Sequence, residues 1–156
     1  MVLESSLVFE ALIDSGSGRH QPARAFCDRL RTENVTAVYS SLIFLEAPQC
    51  WRRLYRRGAL RPRQMSMNPV LERETAFNEA NAQLEIFLAS FNRHRVNISL
   101  RLMQQGSVMA ARYELSSHDA LIVALLQDYG LNHLGVIDND FCKVDHLELW
   151  DGLLIP

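Results

Sequence analysis

The sequence predicts an α/β fold in which a short, mostly parallel central sheet is flanked by helices on both faces. Short apolar segments alternate with segments whose apolar residues recur at helical spacing, which is typical of a parallel sheet crossed by helices. The apolar segment at residues 134–137 runs straight into Asp138 and Asp140, as a buried strand does at the carboxyl edge of such a sheet. The 156 residues, 48% of them hydrophobic, suffice for one substantial core, so we expect a single domain over residues 1–156.

The first half of the chain predicts two strands and three helices. In order, these are a strand at residues 2–3, a helix capped by Ser5 or Ser6, a helix over residues 23–31, a strand over residues 35–39 and a helix from Ser40 or Ser41 to about residue 57. Serines are expected caps because a hydroxyl oxygen accepts a hydrogen bond from the unpaired amides of a helix's first turn. Glu46 then falls in the second turn of the third helix.

The second half predicts three helices and three strands. They are a helix over residues 70–94, a strand at 96–98, a helix over 100–113, a helix capped by Ser116 or Ser117, and strands at 134–137 and 147–150. The last of these helices carries Asp119 in its first turn. The helix predicted over residues 70–94 carries an apolar stripe between Phe77 and Phe91. This stripe is expected to pack in the core, but it would suit a homodimer interface if it protrudes.

Four carboxylates are predicted to meet at one edge of the sheet. In a parallel sheet the strand ends and the following helix starts share one rim, where ligands bind. Glu4 and Asp138 follow predicted strands, Asp119 begins a helix, and Glu46 can reach the rim from its own helix. Each acid alone also has a simpler explanation: a helix-start role for Glu4 and Asp119, a turn for Asp138, and for Glu46 a solvated helical charge paired with a nearby arginine. It is therefore their joint order that points to a site.

A cluster of like charges is costly unless a positive charge lies among them. Magnesium and manganese ions bind carboxylate oxygens and keep water ligands, one of which can attack a phosphodiester. The histidines and cysteines lack the spacing of a zinc site, and His118 is interpreted as structural. The residues therefore predict a metal-dependent phosphoryl-transfer or nuclease centre.

Composition limits the class of protein. The net charge of −2 and the pI near 6.2 argue against a protein that coats nucleic acid through its overall field, so any basic surface must be local. Three widely spaced cysteines fit neither a disulfide framework nor a zinc knuckle and favour a reducing, cytoplasmic setting. The N-terminal segment lacks the basic leader of a signal peptide, and no apolar run approaches the ~20 residues that cross a membrane.

Five short motifs follow one another along the chain: residues 3–8 (Leu-Glu-Ser-Ser-Leu-Val), 40–46, 117–120 (Ser-His-Asp-Ala), 137–141 (Ile-Asp-Asn-Asp-Phe) and 147–150. They resemble those of PIN domains and, among them, of the small VapC-type toxins. Length and order agree along the chain, while residues 59–112 match only as helices. The resemblance implies a PIN-like three-layer α/β/α sandwich and a Mg²⁺- or Mn²⁺-dependent endoribonuclease, with RNA as substrate and an antitoxin protein as partner.

The resemblance also implies roles for individual residues. The catalytic acids would be Glu4, Glu46, Asp119 and Asp138, and the metal ligands would be Glu4, Asp119, Asp138 and Asp140. The Ser6 hydroxyl would steady the first acid.

Two positions depart from the family pattern. Glu4 stands where the family has aspartate and is one methylene longer, and Val136 stands where it has threonine or serine. Losing such an outer hydroxyl typically costs about 10- to 100-fold in metal affinity or activity. The alternative is therefore a catalytically weakened PIN-fold RNA-binding or protein-interaction module. A third interpretation, a phosphatase-like hydrolase using Asp138 and Asp140, would need a later lysine, and Lys143 is the chain's only one.

A basic segment continues the helix that carries Glu46. Arginines and aromatic residues interleave over residues 51–57, which predicts an RNA-binding track leading to the acids, formed by Arg52, Arg53, Arg56 and Arg57. A solvated helix face with its aromatic residues turned inward explains the segment equally well. An acidic antitoxin segment would also suit the same arginines.

Overall fold

The computed structural model describes residues 1–56, 69–137 and 139–151. Within these ranges the strands are β1 (Val2–Leu3), β2 (Ala37–Ser40), β3 (Arg93–Val96), β4 (His133–Val136) and β5 (Glu148–Asp151). The α-helices there are α1 (Ser5–Leu12), α2 (His20–Thr32), α3 (Ile43–Arg56), α4 (Pro69–Ala89), α5 (Leu100–Tyr113) and α6 (Ser117–Asp128), and a 3₁₀ turn spans Asp140–Lys143. None of the helices in these ranges is long and apolar enough to span a lipid bilayer.

The five strands form one sheet in the order β3-β2-β1-β4-β5, and every neighbouring pair is parallel. The central strand is β1, in which Val2 pairs with Val38 on one side and with Leu134 on the other. Because all the strands run the same way, their carboxyl ends lie along one rim. The predicted parallel sheet is confirmed.

One apolar core lies on each face of the sheet. Val38, Leu134 and Val136 pack with α5 and α6, whereas Leu3 and Tyr39 pack with the helices α1 to α4. This division follows from the pleat, which points successive side chains of a strand to opposite faces. Helices thus cover both faces, and the predicted three-layer α/β/α sandwich is confirmed.

A glycine in β4 allows α1 and α2 to pack closely on the sheet. A Cβ atom at Gly135 would lie 3.0 Å from Leu7 Cδ2, 3.2 Å from Leu3 Cδ2 and 3.3 Å from Phe26 Cε1. In a core packed to crystal-like density, these three side chains would have to shift to admit an added methyl group. The absence of a side chain at Gly135 therefore fixes how near these helices come to the strand that precedes Asp138.

Two helix starts differ from the sequence prediction. The cap of α1 is Glu4 rather than a serine, because the Glu4 carboxylate accepts the amides of the first turn. The third helix begins at Ile43, two residues later than expected, so Glu46 lies in its first turn and not its second. The earlier start fails because the Ser40 hydroxyl accepts from the Leu42 amide and forms a turn ahead of the helix.

The largest boundary error lies at β3. The strand is Arg93–Val96 rather than residues 96–98, and α4 ends at Ala89 rather than residue 94. Three of the four β3 side chains are exposed, since β3 is an edge strand, so the apolar alternation that marks a strand is missing. The stripe on α4 is largely core, although Phe77 is 44% exposed.

Candidate functional site

The acid that follows β1 is buried and caps a helix. The Glu4 side chain is only 6% exposed, and its carboxylate accepts from the amides of Ser6 (2.9 Å) and Leu7 (3.3 Å). The hydroxyls of Ser5 and Ser6 donate to the same carboxylate. A buried charge is stable only with such donors around it. Glu4 is therefore held rigidly at the rim, with Ser6 against its Oε2 atom.

Asp119 is held by the cap of its own helix. The Ser116 hydroxyl accepts from the Asp119 amide (3.2 Å), as an N-cap residue does, and donates to Asp119 Oδ2 (2.6 Å). The dipole of α6 favours a negative charge at this end. Among the described residues, none donates a hydrogen bond to Oδ1, so one carboxylate oxygen is available to a ligand.

Glu46 meets His118 where α3 and α6 approach each other. The His118 Nε2 atom lies 2.7 Å from Glu46 Oε1, and both side chains are half-buried. The hydrogen bond to Glu46 raises the pKa of His118 above its usual value, against the opposing effect of burial. The negative charges of Glu46, Asp119 and Glu4 raise it further. Carboxylates from three separate parts of the chain thus act on one imidazole.

A small cavity joins these elements. Glu46 and His118 line it together with Ser5 and Ser40, which follow or end two neighbouring strands, and its volume is about 20 Å³. This is room for one water molecule, and the lining offers polar partners for it. The cavity marks the point at which β1, β2, α3 and α6 converge on the rim.

The described residues complete only part of the predicted acidic group. Asp138 lies outside them, and Asp140 is exposed at the start of the 3₁₀ turn. Val136 is buried in the core facing α5 and α6, with 2% of its surface exposed. In the ranges described, which leave out Asp138, no three His, Cys, Asp or Glu side chains are arranged to hold a metal ion.

The predicted RNA-binding track is described at one position. Arg52 is exposed on α3. Arg57 and the side chains of Arg53 and Arg56 lie outside the described part of the chain, so the track stays a prediction.

The contact between His118 and Glu46 is the part of this group that the sequence does not predict. A lone histidine beside a helix cap is rarely a ligand, and no spacing singles it out. The available signal was its position in the first turn of α6, next to Asp119, on a helix that the parallel topology brings to the same rim as α3. The partner of His118 is Glu46, 72 positions earlier in the chain, and that pairing is a property of the tertiary structure.

Comparison with solved structures identifies the fold. The chain is similar to VapC20 of Mycobacterium tuberculosis, described as a Sarcin-Ricin loop cleaving toxin, with a TM-score of 0.63 and 19% identity over 94% of this chain and 95% of that one. The chain has the PIN-domain fold of the VapC toxins. It is also similar to VapBC2 from Rickettsia felis bound to a DNA fragment from their promoter, with a TM-score of 0.61 and 14% identity over 96% of each chain. A toxin-antitoxin complex from Klebsiella pneumoniae matches with a TM-score of 0.58 and 18% identity over 99% of this chain and 98% of that one.

No family model matches the sequence, and no curated protein matches it. The likeness to VapC structures therefore lies in the backbone, at 14% to 19% identity. It confirms the VapC-type fold that the short motifs predict.

Proposed function

We propose that the protein is a metal-dependent endoribonuclease of the PIN/VapC toxin type, which hydrolyses RNA phosphodiesters at the acidic rim. One observation carries the proposal: Glu4, Glu46 and Asp119, which are far apart in the chain, all act on His118 at the end of a parallel sheet. Such gatherings of negative charge with a shifted pKa are typical of functional sites. The VapC-type fold supports the same reaction class.

The donor set suits Mg²⁺ or Mn²⁺. Both ions prefer carboxylate oxygens, and we infer that Glu4, Asp119, Asp138 and Asp140 would hold them. When bound, such an ion lowers the pKa of a coordinated water and supplies the nucleophile for phosphodiester hydrolysis.

The remaining roles fall to residues that orient the acids. The Ser6 hydroxyl holds Glu4, and the Ser116 hydroxyl holds Asp119, so each carboxylate is positioned by a neighbour in sequence. Glu46 would act as a further catalytic acid, and protonated His118 would offset its charge. The RNA backbone would be guided to the acids by four arginines, Arg52, Arg53, Arg56 and Arg57.

A weakened RNA-binding or protein-interaction module is the second candidate. It is favoured by the bonds that the acids already make: Glu4 serves as a buried cap, and Glu46 is paired with His118. At the Glu4 carboxylate, a metal would have to compete with two amides and two hydroxyls for the same oxygens. Glu4 and Val136 would be the lapsed positions.

One experiment separates the two candidates. Cleavage of a structured and a single-stranded RNA is measured with Mg²⁺ and with Mn²⁺ for the native protein, Asp119→Asn, Glu4→Asp and a control, Asp145→Asn. Asp145 is exposed and lies before β5, at the edge of the sheet opposite the rim.

The nuclease predicts that Asp119→Asn abolishes cutting while Asp145→Asn cuts like the native protein. Cutting by Asp119→Asn at the native rate would refute it. Native protein that binds RNA without cutting would establish the weakened module, and recovery of cutting in Glu4→Asp would identify Glu4 as the lapsed ligand.

An antitoxin partner and a homodimer belong to the same proposal. The names of two structural neighbours describe toxin-antitoxin assemblies, and the exposed Phe77 would suit contact with a second copy or with a partner helix. Light scattering of the purified chain, alone and after co-expression with any small upstream reading frame, tests both. A monomer in the purified protein alone would refute the homodimer, and a monomer after co-expression would refute the antitoxin partner.

A further inference from the structure

A second cavity adjoins the acidic rim and is independent of the acids themselves. Its volume is about 540 Å³, within the range of about 300–1,000 Å³ that is typical of small-ligand pockets. Ser6, whose hydroxyl contacts Glu4, lines it on one side, and Ile137, which precedes Asp138, lines it on another. A nucleotide whose phosphate lies at the rim would therefore place its own or a neighbouring base at this opening.

The cavity has an apolar wall and a polar edge. Phe9, Ile13 and Ile137 form the wall, which suits the faces of a nucleobase. The edge is formed by Glu10 and by the loop that follows α1, which ends at Arg19. Such a mixture of an apolar surface with few polar groups is typical of a site that fixes one orientation of its ligand.

The Glu10 carboxylate retains the capacity to bind a base. Ser15 and Ser17 each have one hydroxyl proton to donate, and their hydroxyl oxygens lie 2.8 Å and 2.9 Å from Glu10 oxygens. A carboxylate accepts about four hydrogen bonds, so about two positions are left. The two serines also fix the direction in which the carboxylate points.

Guanine matches these positions better than the other bases. Its Watson–Crick edge presents two adjacent donors, N1–H and the 2-amino group, which can pair with the two oxygens of one carboxylate. Adenine presents one donor beside an acceptor, and that acceptor would face a negative charge. Cytosine likewise presents its amino group beside an acceptor, and uracil presents its single N3–H between two carbonyl acceptors.

Arg19 adds a cation at the edge of the same cavity. The side chain is exposed and makes no ion pair or hydrogen bond with the other described residues. Arginine binds phosphate through paired N–H groups. Arg19 is therefore suited to the phosphate next to the bound base.

We infer that this cavity binds a guanine that flanks the scissile phosphate, with Glu10 selecting the base and Arg19 binding the adjoining phosphate. The inference rests on the proposed function in one respect: it takes the bound strand to be RNA that extends to the acidic rim. It assigns a sequence preference, which the acids of the rim cannot supply.

Binding is measured in EDTA, so that no cutting occurs, by fluorescence anisotropy with labelled pentaribonucleotides UUGUU, UUAUU, UUCUU and UUIUU. Inosine keeps N1–H but lacks the 2-amino group. The variants are Glu10→Gln, Arg19→Ala and a matched control, Glu33→Gln, which removes an exposed acid at the other end of α2. Circular dichroism checks that each variant folds.

The native protein and Glu33→Gln should bind UUGUU about 10-fold more tightly than UUAUU and UUCUU, because a good two-bond base contact discriminates by about 5- to 150-fold. UUIUU should fall between them. Glu10→Gln should lose the preference for guanine, because a carboxamide has only one acceptor oxygen for the two donors of guanine. Arg19→Ala should weaken binding of all four by one factor and reduce the salt dependence by about one phosphate contact.

Equal binding of the four oligonucleotides by the native protein would overturn the inference, as would no binding at millimolar protein or a guanine preference that survives Glu10→Gln. The outcomes are separable from those of the proposed function. A protein that selects guanine but never cuts RNA would support the guanine site and refute the nuclease proposal. A protein that cuts RNA without selecting guanine would support the nuclease proposal and refute the guanine site.

Discussion

Replacing Glu4 by glutamine tests whether this acid supports the fold as well as the site. The carboxylate accepts from two amides, those of Ser6 and Leu7, and from the hydroxyls of Ser5 and Ser6. Glutamine is the same size but offers one acceptor oxygen, and its NH₂ group would face donors. Some of these buried groups would then lose their partner.

The size of the effect follows from two terms. Loss of a helix cap costs about 1 kcal/mol, and an unsatisfied buried polar group costs about 1–3 kcal/mol. Together they give a loss of about 3 kcal/mol in the free energy of unfolding, or about 6–12 °C in Tm for a chain of this length. Glu4→Asp keeps a carboxylate of a preferred capping type, so it should lose less than about 1 kcal/mol.

Urea and thermal unfolding in EDTA measure these changes without any contribution from bound metal. Glu33→Gln is the control, since an exposed substitution of this kind changes stability by less than about 0.5 kcal/mol. A Glu4→Gln variant as stable as this control would refute the reasoning, because the buried carboxylate would then not be holding α1. Repeating the Glu4→Asp melt with Mg²⁺ then shows whether the shorter acid binds metal more tightly than the native one.

Three further predictions concern packing, charge and thiol chemistry. Gly135→Ala should destabilise the fold by about 1–3 kcal/mol in urea, because the added methyl group would lie 3.0–3.3 Å from three side-chain atoms and would force them to shift; a neutral effect would contradict the packing described. In the metal-free protein, NMR titration should find the pKa of His118 raised, and Glu46→Gln should lower it. The Glu46 contact therefore stabilises the fold fully below about pH 6.5, and this contribution is lost as the pH rises through the raised pKa. Burial raises the pKa of Cys27 to about 12, so a thiol reagent at pH 8 should modify exposed Cys142 and spare Cys27.

The sequence predicts the fold well where burial leaves a pattern. The strand before Asp138 and the helix that carries Asp119 are strongly apolar, and both occur within one or two residues of their predicted positions. The prediction fails at β3, because an edge strand buries only Val96 of its four side chains. The ends of a strand are predicted poorly where backbone pairing with a neighbouring strand, and not burial of side chains, defines the strand.

The candidate site divides in the same way. That Glu4 and Asp119 would approach one rim follows from the order of strands and helices, which the sequence predicts. Their hydrogen-bond partners are also local, since Ser6 and Ser116 are two and three residues away. The contact between Glu46 and His118 depends on how α3 and α6 pack, and no spacing in the sequence encodes that distance.

This division decides how the acids can be tested one at a time. In Asp119→Asn the Ser116 hydroxyl can still accept from the residue 119 amide and donate to the new side-chain oxygen, so the cap of α6 is kept. Two electrostatic interactions of the Asp119 charge are lost. They are the interaction with the helix dipole, worth about 0.3–1 kcal/mol, and the attraction to protonated His118. Loss of RNA cutting in a variant that melts within a few degrees of the native protein would then report on the reaction itself. Glu46→Gln lacks this advantage, because it weakens the one charged contact seen between α3 and α6 among the described residues, and a fall in its activity combines chemistry with the positions of two helices.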